Sequence, residues 1–492
     1  MSTKPSATIT LLSPLTPPSL ERTWLTAPHP RLPLVATCCA DKTVRIYSLQ
    51  NFTLLSTITG GHKRSVRSCA WKPLVKGESV LATGSFDATV GVWRRWDGYG
   101  HAADDDDRVT MGIDSSKYDA DADADADADS NNEEEDDEEW RFAVLLDGHD
   151  SEVKSLSWSP AGTLLATCSR DKSIWIWEDL DDGDNNFETV AVMQEHTGDV
   201  KWVAWHPNEE CLASSSYDDT IRLWREDIDD WGQVACLRGH KGTVWCVEWE
   251  SGDAERTVPV YFGADSGGGD GGGEEKDTHQ DETGRRKQWI EQHTLAGPRL
   301  VSCSDDRTIR IWAKQTRPST TTTSASSMPS IIRPASIDET WVEQLQLPAR
   351  HDLSIYSVAW SKRSGLIAST GADGRIVVYQ ERFVKETGKA EDELATNTTT
   401  YANMDTNIDA PMLPEDNMDK NDDNAQAQPQ PTRTSRTEWQ VLAMLDAAHG
   451  IYEVNHVCWA LRADTGRREG TEEEVLISTG DDGCVKVWRL EK

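Results

Sequence analysis

The sequence predicts an all-β protein, a single seven-bladed β-propeller over residues 1–492 whose last blade is closed by an N-terminal strand. Three observations predict this fold. One motif that ends in an aromatic residue occurs seven times, a histidine precedes most of its copies, and segments of alternating polarity lie between them. Self-similarity at a regular spacing is typical of propellers and other repeat proteins. The amino-acid usage agrees, because the chain holds 21 Trp against 6 Phe and 9 Tyr.

The repeated motif consists of small residues, an aspartate, a short strand and an aromatic residue six positions after that aspartate. Its copies read CCADKTVRIY, GSFDATVGVW, CSRDKSIWIW, SSYDDTIRLW, CSDDRTIRIW, TGADGRIVVY and TGDDGCVKVW. The aspartates are Asp41, Asp87, Asp171, Asp218, Asp306, Asp373 and Asp482. The aromatic residues are Tyr47, Trp93, Trp177, Trp224, Trp312, Tyr379 and Trp488. Each copy predicts two strands that are joined by a tight turn at the aspartate.

A histidine lies upstream of six copies, whereas blade 1 carries Ser19 in its place. These residues are His62, His149, His196, His240, His351 and His449. An alternating segment such as VKSLSWSP follows and predicts an inner strand, and segments such as WRFAVLL predict an outer strand. Four strands per repeat make the blade of a WD40 propeller.

The His, Asp and Trp of one blade are interpreted as a structural hydrogen-bond network. A buried polar group without a partner costs about 1–3 kcal/mol, which explains why these residue types occur together. A catalytic His/Asp pair is the alternative, and six copies around a ring argue against it. Blades 1 and 6 carry Tyr for Trp and are expected to be less regular.

Blade 7 reaches its third strand only at Trp488, close to the end of the sequence. The early segment ATITLLS, residues 7–13, is therefore expected to supply the fourth strand. That pairing would leave no open sheet edge.

Low-complexity insertions interrupt the repeats at 97–139, 251–297, 316–339 and 382–436, and a shorter one follows Leu461. Their composition predicts surface loops or disorder. The first insertion holds about half of the acidic excess behind the net charge of -35. Such a charge disfavours nucleic acid and anionic membranes as partners, because these require a basic surface.

Several other kinds of site are not supported by the sequence. It has no apolar run near the length of a membrane span and no signal-peptide pattern at its start, so an intracellular protein is expected. The ten cysteines form no CxxC pair and are expected to be reduced thiols. Cys38, Cys168 and Cys303 occupy one slot on different blades and are interpreted as core residues. Neither a metal nor a cofactor nor a catalytic residue is predicted, since nucleophile-elbow and zinc-helix motifs are lacking and SGGGDGGGEE resembles a linker.

Two slots of the repeat predict a binding face around the channel, which we call the crown. The first slot, at the start of each inner strand, holds Trp24, Arg67, Lys154, Lys201, Trp245, Tyr356 and Asn455. The second, just before each turn aspartate, holds Ala40, Phe86, Arg170, Tyr217, Asp305, Ala372 and Asp481. Arg, Trp and Tyr are enriched at interface hot spots. The cations and aromatics of blades 2 to 4 therefore predict a site for an acidic peptide that bears an aromatic residue.

The chain resembles the WD40 protein of cytosolic iron-sulfur protein assembly. The resemblance rests on SFDATVGVW, GHDSEVKSLSWSPAGTLLATCSRDKSIWIWE, HTGDVKWVAWHP, SYDDTIRLWRED, GTVWCVEWE and SCSDDRTIRIW, which span blades 2 to 5. Blades 1, 6 and 7 match more loosely, and the insertions are additional to the compact family core.

The resemblance implies a non-enzymatic scaffold of the targeting complex that passes clusters to apoproteins in cytosol and nucleus. It implies three partners, namely a cysteine-bearing carrier subunit, a HEAT-repeat adaptor and an iron-hydrogenase-like carrier, and Fe/S clients that include DNA-repair enzymes. It also places the family's functional surface arginine at Arg170. A ubiquitin-ligase receptor is disfavoured, because WEDLDD and WREDID lack its pattern, whereas a reader of basic histone tails stays open.

Overall fold

A computed structural model describes residues 6–97, 139–227, 230–260, 275–315, 339–384, 437–468 and 470–491. Most of the insertions 97–139, 316–339 and 382–436 lie outside these residues. The described chain forms seven four-stranded antiparallel sheets and one helix, which confirms the predicted fold.

Each sheet is one blade, and its strands run in order from the channel outwards. Blade 1 contains β2 (Thr23–Pro28), β3 (Leu34–Cys39), β4 (Val44–Ser48) and β5 (Leu54–Ile58). Blade 2 contains β6 (Val66–Trp71), β7 (Glu78–Ser85), β8 (Thr89–Trp96) and β9 (Arg141–Asp147). Blade 3 contains β10 (Val153–Trp158), β11 (Leu164–Ser169), β12 (Ile174–Asp179) and β13 (Phe187–Met193).

The remaining blades follow the same order. Blade 4 contains β14 (Val200–Trp205), β15 (Cys211–Ser216), β16 (Thr220–Asp227) and β17 (Asp230–Arg238). Blade 5 contains β18 (Val244–Trp249), β19 (Leu300–Ser304), β20 (Ile309–Lys314) and β21 (Trp341–Gln346). Blade 6 contains β22 (Ile355–Trp360), β23 (Ile367–Gly371), β24 (Ile376–Phe383) and β25 (Thr437–Leu445). Blade 7 contains β26 (Val454–Leu461), β27 (Glu474–Gly480), β28 (Val485–Glu491) and β1 (Thr8–Pro14).

Strand β1 closes the ring, as the sequence predicted. It pairs antiparallel with β28, in a register that sets Thr8 opposite Glu491 and Pro14 opposite Lys486. The side chain of Ile9 is buried in the core between blades 6 and 7. The first and last strands of the chain thus share one sheet, and blade 7 has the same four strands as the others.

The hydrophobic core lies between neighbouring blades. Between blades 3 and 4, for example, Ile174 and Ile176 of β12 pack in one cluster with Trp205, Leu212 and Trp224. Side chains along a strand alternate between the two faces of its sheet, so each blade presents apolar side chains to both neighbouring blades. The blades are therefore held mainly by apolar contacts with their neighbours.

The insertion 251–297 differs from its prediction, because its C-terminal half forms the helix α1 (Glu275–Ala296) rather than a loop. Trp289 of this helix is only 2% exposed, and its ring stacks on His293 at 3.5 Å. Burial of one aromatic side chain stabilises a helix that the polar sequence around it does not indicate. Among the described residues no helix is long and apolar enough to cross a membrane.

A buried ion network joins blades 5 and 6 beside α1. The guanidinium of Arg299 bonds both carboxylate oxygens of Glu250, at 2.8 and 2.9 Å, and both of Glu381, at 2.7 and 3.2 Å. Its carbon lies 5.1 Å from the Trp360 ring centroid. Since all three charged groups are buried and paired, removal of one partner would leave an uncompensated charge.

All five insertions lie in connections on the same face of the propeller. Antiparallel pairing places every connection between the first and second strands, and between the third and fourth, on the side opposite the turn aspartates. The insertions after Trp96, Trp249, Lys314, Phe383 and Leu461 all lie in such connections. The other face carries the crown.

Candidate functional site

In blades 2 to 5 and 7 the predicted His and Trp are joined by a hydroxyl group, and the His also contacts the turn aspartate. In blade 3 the ring of His149 bonds Asp171 through Nδ1 at 2.9 Å and Thr167 through Nε2 at 2.9 Å. The Trp177 indole N–H donates to the same Thr167 hydroxyl at 3.0 Å. Blades 4, 5 and 7 repeat this chain through Ser214, Ser302 and Ser478. In blade 2 the His62 to Asp87 distance lengthens to 3.5 Å.

Sequence reasoning missed this hydroxyl, although its signal was present. A Ser or Thr stands four residues before every turn aspartate, at 37, 83, 167, 214, 302, 369 and 478. Blade 6 keeps the link between His351 and Ser369 at 2.8 Å. In blade 1, which lacks the His and the Trp, the Thr37 hydroxyl is buried and has no hydrogen-bond partner among the residues that the structure describes. The expected irregularity of blade 1 is thus located at Thr37.

The aspartates of the network are held ionised. Burial opposes the charge of Asp218, but hydrogen bonds from His196, Thr220 and the Thr197 amide outweigh it and keep the pKa of this carboxyl well below its usual range. Burial likewise lowers the pKa of His196. The His196 ring between a carboxylate and a hydroxyl is a structural link, and the same contacts repeat in other blades.

Cys38, Cys168 and Cys303 are fully buried, as expected for core residues. Burial is the main cause that raises the pKa of each of these thiols. In the part of the chain that the structure describes, no three His, Cys, Asp or Glu side chains are grouped so that they could hold a metal ion.

The first-slot residues of the crown all lie at β-bulges. In each blade the register between the first and second strands shifts at the second residue of the inner strand, as between Val66 and Ser68 or between Val153 and Ser155. The skipped residues are Trp24, Arg67, Lys154, Lys201, Trp245, Tyr356 and Asn455. A bulge re-aims a side chain out of the ladder, which explains why this slot faces the channel mouth.

Cations and aromatic rings alternate along one side of the crown. Arg67 lies 5.2 Å from the Trp24 ring, Trp24 lies 5.8 Å from Phe86, and Lys154 lies 4.6 Å from Phe86. Further round, the Lys201 ammonium lies 5.5 Å from the Tyr217 ring and 5.1 Å from that of Trp245. Blades 1 to 5 therefore share a continuous surface, which we call the basic sector.

Arg170 extends from the basic sector into solvent, with 59% of its side chain exposed. Its guanidinium lies 3.4 Å from both oxygens of Glu152, and Asp171 bonds His149 instead. Glu152 also lies near Arg64, at 3.7 Å, and Lys154, at 4.0 Å. Three cations thus share one carboxylate. Sequence reasoning missed Glu152 and Arg64, which lie in the loops before the inner strands.

Arg67 is the innermost cation of the crown. Burial lowers the pKa of its guanidinium. Burial also lowers the pKa of the Lys154 ammonium to about 8, and the nearby positive charges of Lys201 and Arg67 lower it further. Within the described residues no hydrogen bond or ion pair compensates Arg67. An anionic group placed here would gain from an already desolvated cation.

The other side of the crown is acidic. Asp305 accepts a hydrogen bond from the Trp245 indole at 2.5 Å, and Asp481 accepts one from Asn455 at 2.8 Å. Tyr356 packs on Trp245 at 5.4 Å, and burial together with Glu453 raises the pKa of its hydroxyl to about 12. The crown is therefore polarised, with cations on blades 2 to 4 and carboxylates on blades 5 to 7.

Below the crown two side chains meet across the channel, and we call this pair the plug. Trp202 of blade 4 stacks on His456 of blade 7 at 5.7 Å. Trp202 also packs against three core clusters, which lie between blades 1 and 2, blades 4 and 5, and blades 5 and 6. Because blades 4 and 7 are not neighbours, this contact spans the channel.

The repeats match the family model of the WD domain, G-beta repeat. The matched residues are 52–94, 140–178, 187–225, 293–313 and 343–380. These ranges include most strands of blades 2 to 6.

Curated relatives match over the whole chain. It is 59% identical to the "Probable cytosolic iron-sulfur protein assembly protein 1" of Aspergillus flavus, over 100% of both chains. The protein of the same name from Coccidioides immitis is 61% identical, again over 100% of both. That from Penicillium rubens is 58% identical over 99% of each.

Proposed function

This chain belongs to the family of cytosolic iron-sulfur protein assembly protein 1, and we propose that it is a non-enzymatic scaffold in the maturation of extramitochondrial Fe/S proteins. The observation that carries the proposal is full-length identity near 60% to relatives of that name. A scaffold in that pathway has protein partners and works in the cytosol. A second location in the nucleus is part of the proposal.

The basic sector is the partner site in this proposal. Arg67, Lys154, Arg170 and Lys201 supply positive charge, and Trp24, Phe86, Tyr217 and Trp245 supply rings within 6 Å of cations. Charged groups with aromatic neighbours recognise carboxylates and apolar side chains together. Tyr356 lies at the border with the acidic side.

The partners in the proposal are the three that the resemblance implies: a cysteine-bearing carrier subunit, a HEAT-repeat adaptor and an iron-hydrogenase-like carrier. Fe/S apoproteins are the clients. The cluster is cargo of this system, and no resident metal or cofactor is assigned to the chain itself. The acidic side of the crown provides electrostatic selection, since it repels acidic segments that approach in the wrong orientation.

Reversal of charge at Arg170 tests the proposal. Arg170→Glu should weaken capture of the carrier subunit and the adaptor by about 2 kcal/mol or more, the loss expected at a hot spot. Its thermal unfolding should match the wild type, because the side chain is mainly exposed. The control is Lys241→Glu, an exposed charge reversal on the crown face of blade 5, in the loop before its inner strand.

Partner capture and melting curves are measured on the same preparations. A stable Arg170→Glu protein that captures its partners normally would remove Arg170 from the site. Purification from native cells tests the pathway itself. Recovery of histones rather than assembly subunits would support the tail-reader alternative instead.

A further inference from the structure

Two arginines lie side by side on the crown face, at the boundary between blades 2 and 3. Arg64 belongs to the loop before β6, and Arg170 belongs to the turn between β11 and β12. The Nη1 atoms of both lie near one oxygen of Glu152, at 3.7 Å for Arg64 and 3.4 Å for Arg170. Two neighbouring blades thus direct their guanidinium groups toward the same point.

Both guanidinium groups are held in place by the protein itself. Arg64 donates from Nη1 to the Phe86 carbonyl at 2.7 Å, and its guanidinium carbon lies 5.9 Å from the Phe86 ring centroid. The backbone amide of Arg170 donates to the Glu152 carbonyl at 3.0 Å. The Ser151 hydroxyl donates to the Glu152 carboxylate at 3.0 Å and orients it. A ligand that binds here would therefore not have to order the two side chains, which favours affinity.

Most of each guanidinium group faces solvent. The side chains of Arg64 and Arg170 are 58% and 59% exposed, whereas that of Glu152 is 13% exposed. Among the described residues, the hydrogen bonds and ion pairs of both arginines involve Nη1 alone. Their contacts with Glu152 are longer than the about 2.7–2.9 Å of a charge-assisted hydrogen bond. The remaining N–H groups of the two forks are thus open to a carboxylate of a partner.

Net charge does not distinguish this place from its surroundings. The other cations of the basic sector also have carboxylates beside them, with Lys154 at 4.0 Å from Glu152 and Lys201 at 3.1 Å from Asp199. What is particular to the boundary of blades 2 and 3 is that two exposed guanidinium forks converge. Recognition by two forks depends on their geometry, because a planar guanidinium group matches both oxygens of a carboxylate.

We propose that Arg64 and Arg170, held in place by Glu152, form a clamp that binds one carboxylate side chain of a protein partner. This clamp rests on the proposed function, in which the basic sector is the partner site. It gives a recognition role to Arg64, which lies outside both slots of the crown. The carboxylate would accept hydrogen bonds from both forks, and an adjacent apolar side chain would pack on the partly exposed Phe86 ring.

Substitution by lysine tests the clamp, because it keeps the charge and removes the fork. The probes are two fluorescent peptides, acetylated and amidated, Ser-Glu-Gly-Trp-Ser and its analogue with Gln in place of Glu, and anisotropy reports their binding to the full chain. Arg64→Lys and Arg170→Lys should each bind the Glu probe about tenfold more weakly than the wild type. The double variant should bind only slightly more weakly than either, since the two forks act as a unit. The Gln probe should bind all four proteins equally weakly.

The control is Lys63→Gln, which removes an exposed cation next to Arg64 and should leave the preference for the Glu probe unchanged. All variants should melt like the wild type, because both arginines are mainly exposed. Wild-type affinity of Arg64→Lys for the Glu probe, equal binding of the two probes to the wild type, or no binding of either probe would overturn the clamp.

Capture of the assembly subunits separates the clamp from the proposed function. Loss of capture in both Arg170→Glu and Arg64→Lys supports the clamp. Loss in Arg170→Glu with normal capture by Arg64→Lys would refute the clamp and leave the basic sector as the partner site. Normal capture by both variants would refute the clamp together with that site.

Discussion

At the scale of single residues, the hydroxyl before each turn aspartate decides whether a blade's network is complete. In blade 3 the Thr167 hydroxyl serves both His149 and Trp177. In blade 1 the equivalent Thr37 hydroxyl is buried, and within the described part of the chain it has no hydrogen-bond partner. Blade 1 is thus a natural control within the same molecule.

Substitution of these two threonines by the isosteric valine should have opposite results. Thr167→Val should lower the free energy of unfolding by roughly 2–4 kcal/mol, because it leaves two buried groups without a partner. Thr37→Val should be neutral or stabilising, since its hydroxyl contributes no bond. Urea denaturation of both variants measures the difference. Equal losses would show that the hydroxyl link is not what stabilises the blade.

The plug makes stability depend on pH. Burial lowers the pKa of His456 to about 3, whereas an unfolded histidine titrates near 6.5. Below pH 6.5 the unfolded chain takes up a proton that the folded chain refuses, so stability is complete above this pH and is lost as pH falls toward 3. At pH 5 the loss from this residue is about 2 kcal/mol.

His456→Phe keeps a ring against Trp202 and removes the titrating group. Between pH 7 and pH 5 this variant should lose about 2 kcal/mol less stability than the wild type. Denaturation curves at the two pH values provide the measurement. Parallel losses in both proteins would assign the acid sensitivity to other histidines, such as His206, whose pKa is lowered to about 4 by burial.

At the scale of elements, strands were predictable and the helix was not. Alternation with a period of two and the Asp-to-aromatic spacing identify the strands of every blade, because half-buried strands require that pattern. Helix α1 reads EKDTHQDETGRRKQWIEQHTLA, with Trp289 as its one deeply buried apolar anchor. Its stability comes from packing on the propeller, which no local pattern reveals.

The site was predictable to the same extent. The crown residues could be identified from the repeat, because the residues at equivalent positions of the seven repeats all lie around the channel mouth. The sharing of Glu152 by three cations and the contact of Trp202 with His456 depend on which blades face each other, and a linear sequence does not specify this.

Strand β1 should be required for a stable ring. Deletion of residues 1–14 removes the partner of β28 and exposes the edge of blade 7 together with the Ile9 contact. We expect aggregation or a large fall in melting temperature. Deletion of residues 1–5, which precede the described strand, is the control and should have little effect. A monomeric 1–14 truncation with normal melting would show that β1 is dispensable.

At the scale of the whole molecule, the proposed pathway handles iron-sulfur clusters, whereas the cysteines of this chain are not grouped to bind one. Its ten cysteines are dispersed through six of the seven blades, and most are buried. Anaerobic reconstitution of the purified protein with iron and sulfide should therefore yield a colourless product after desalting. A stoichiometric cluster absorbance would contradict the scaffold role.

The placement of all five insertions on one face has a consequence for how the chain can change in length. Closing a longer loop costs little, about 0.6 kcal/mol for each doubling of its length. Because the crown face has short connections and the opposite face has the long ones, residues can be added or removed on the opposite face at little cost in free energy. Changes in loop length on that face leave the crown unaltered. A reporter domain inserted after Asp97 or Gln315 should therefore not block partner binding at the crown.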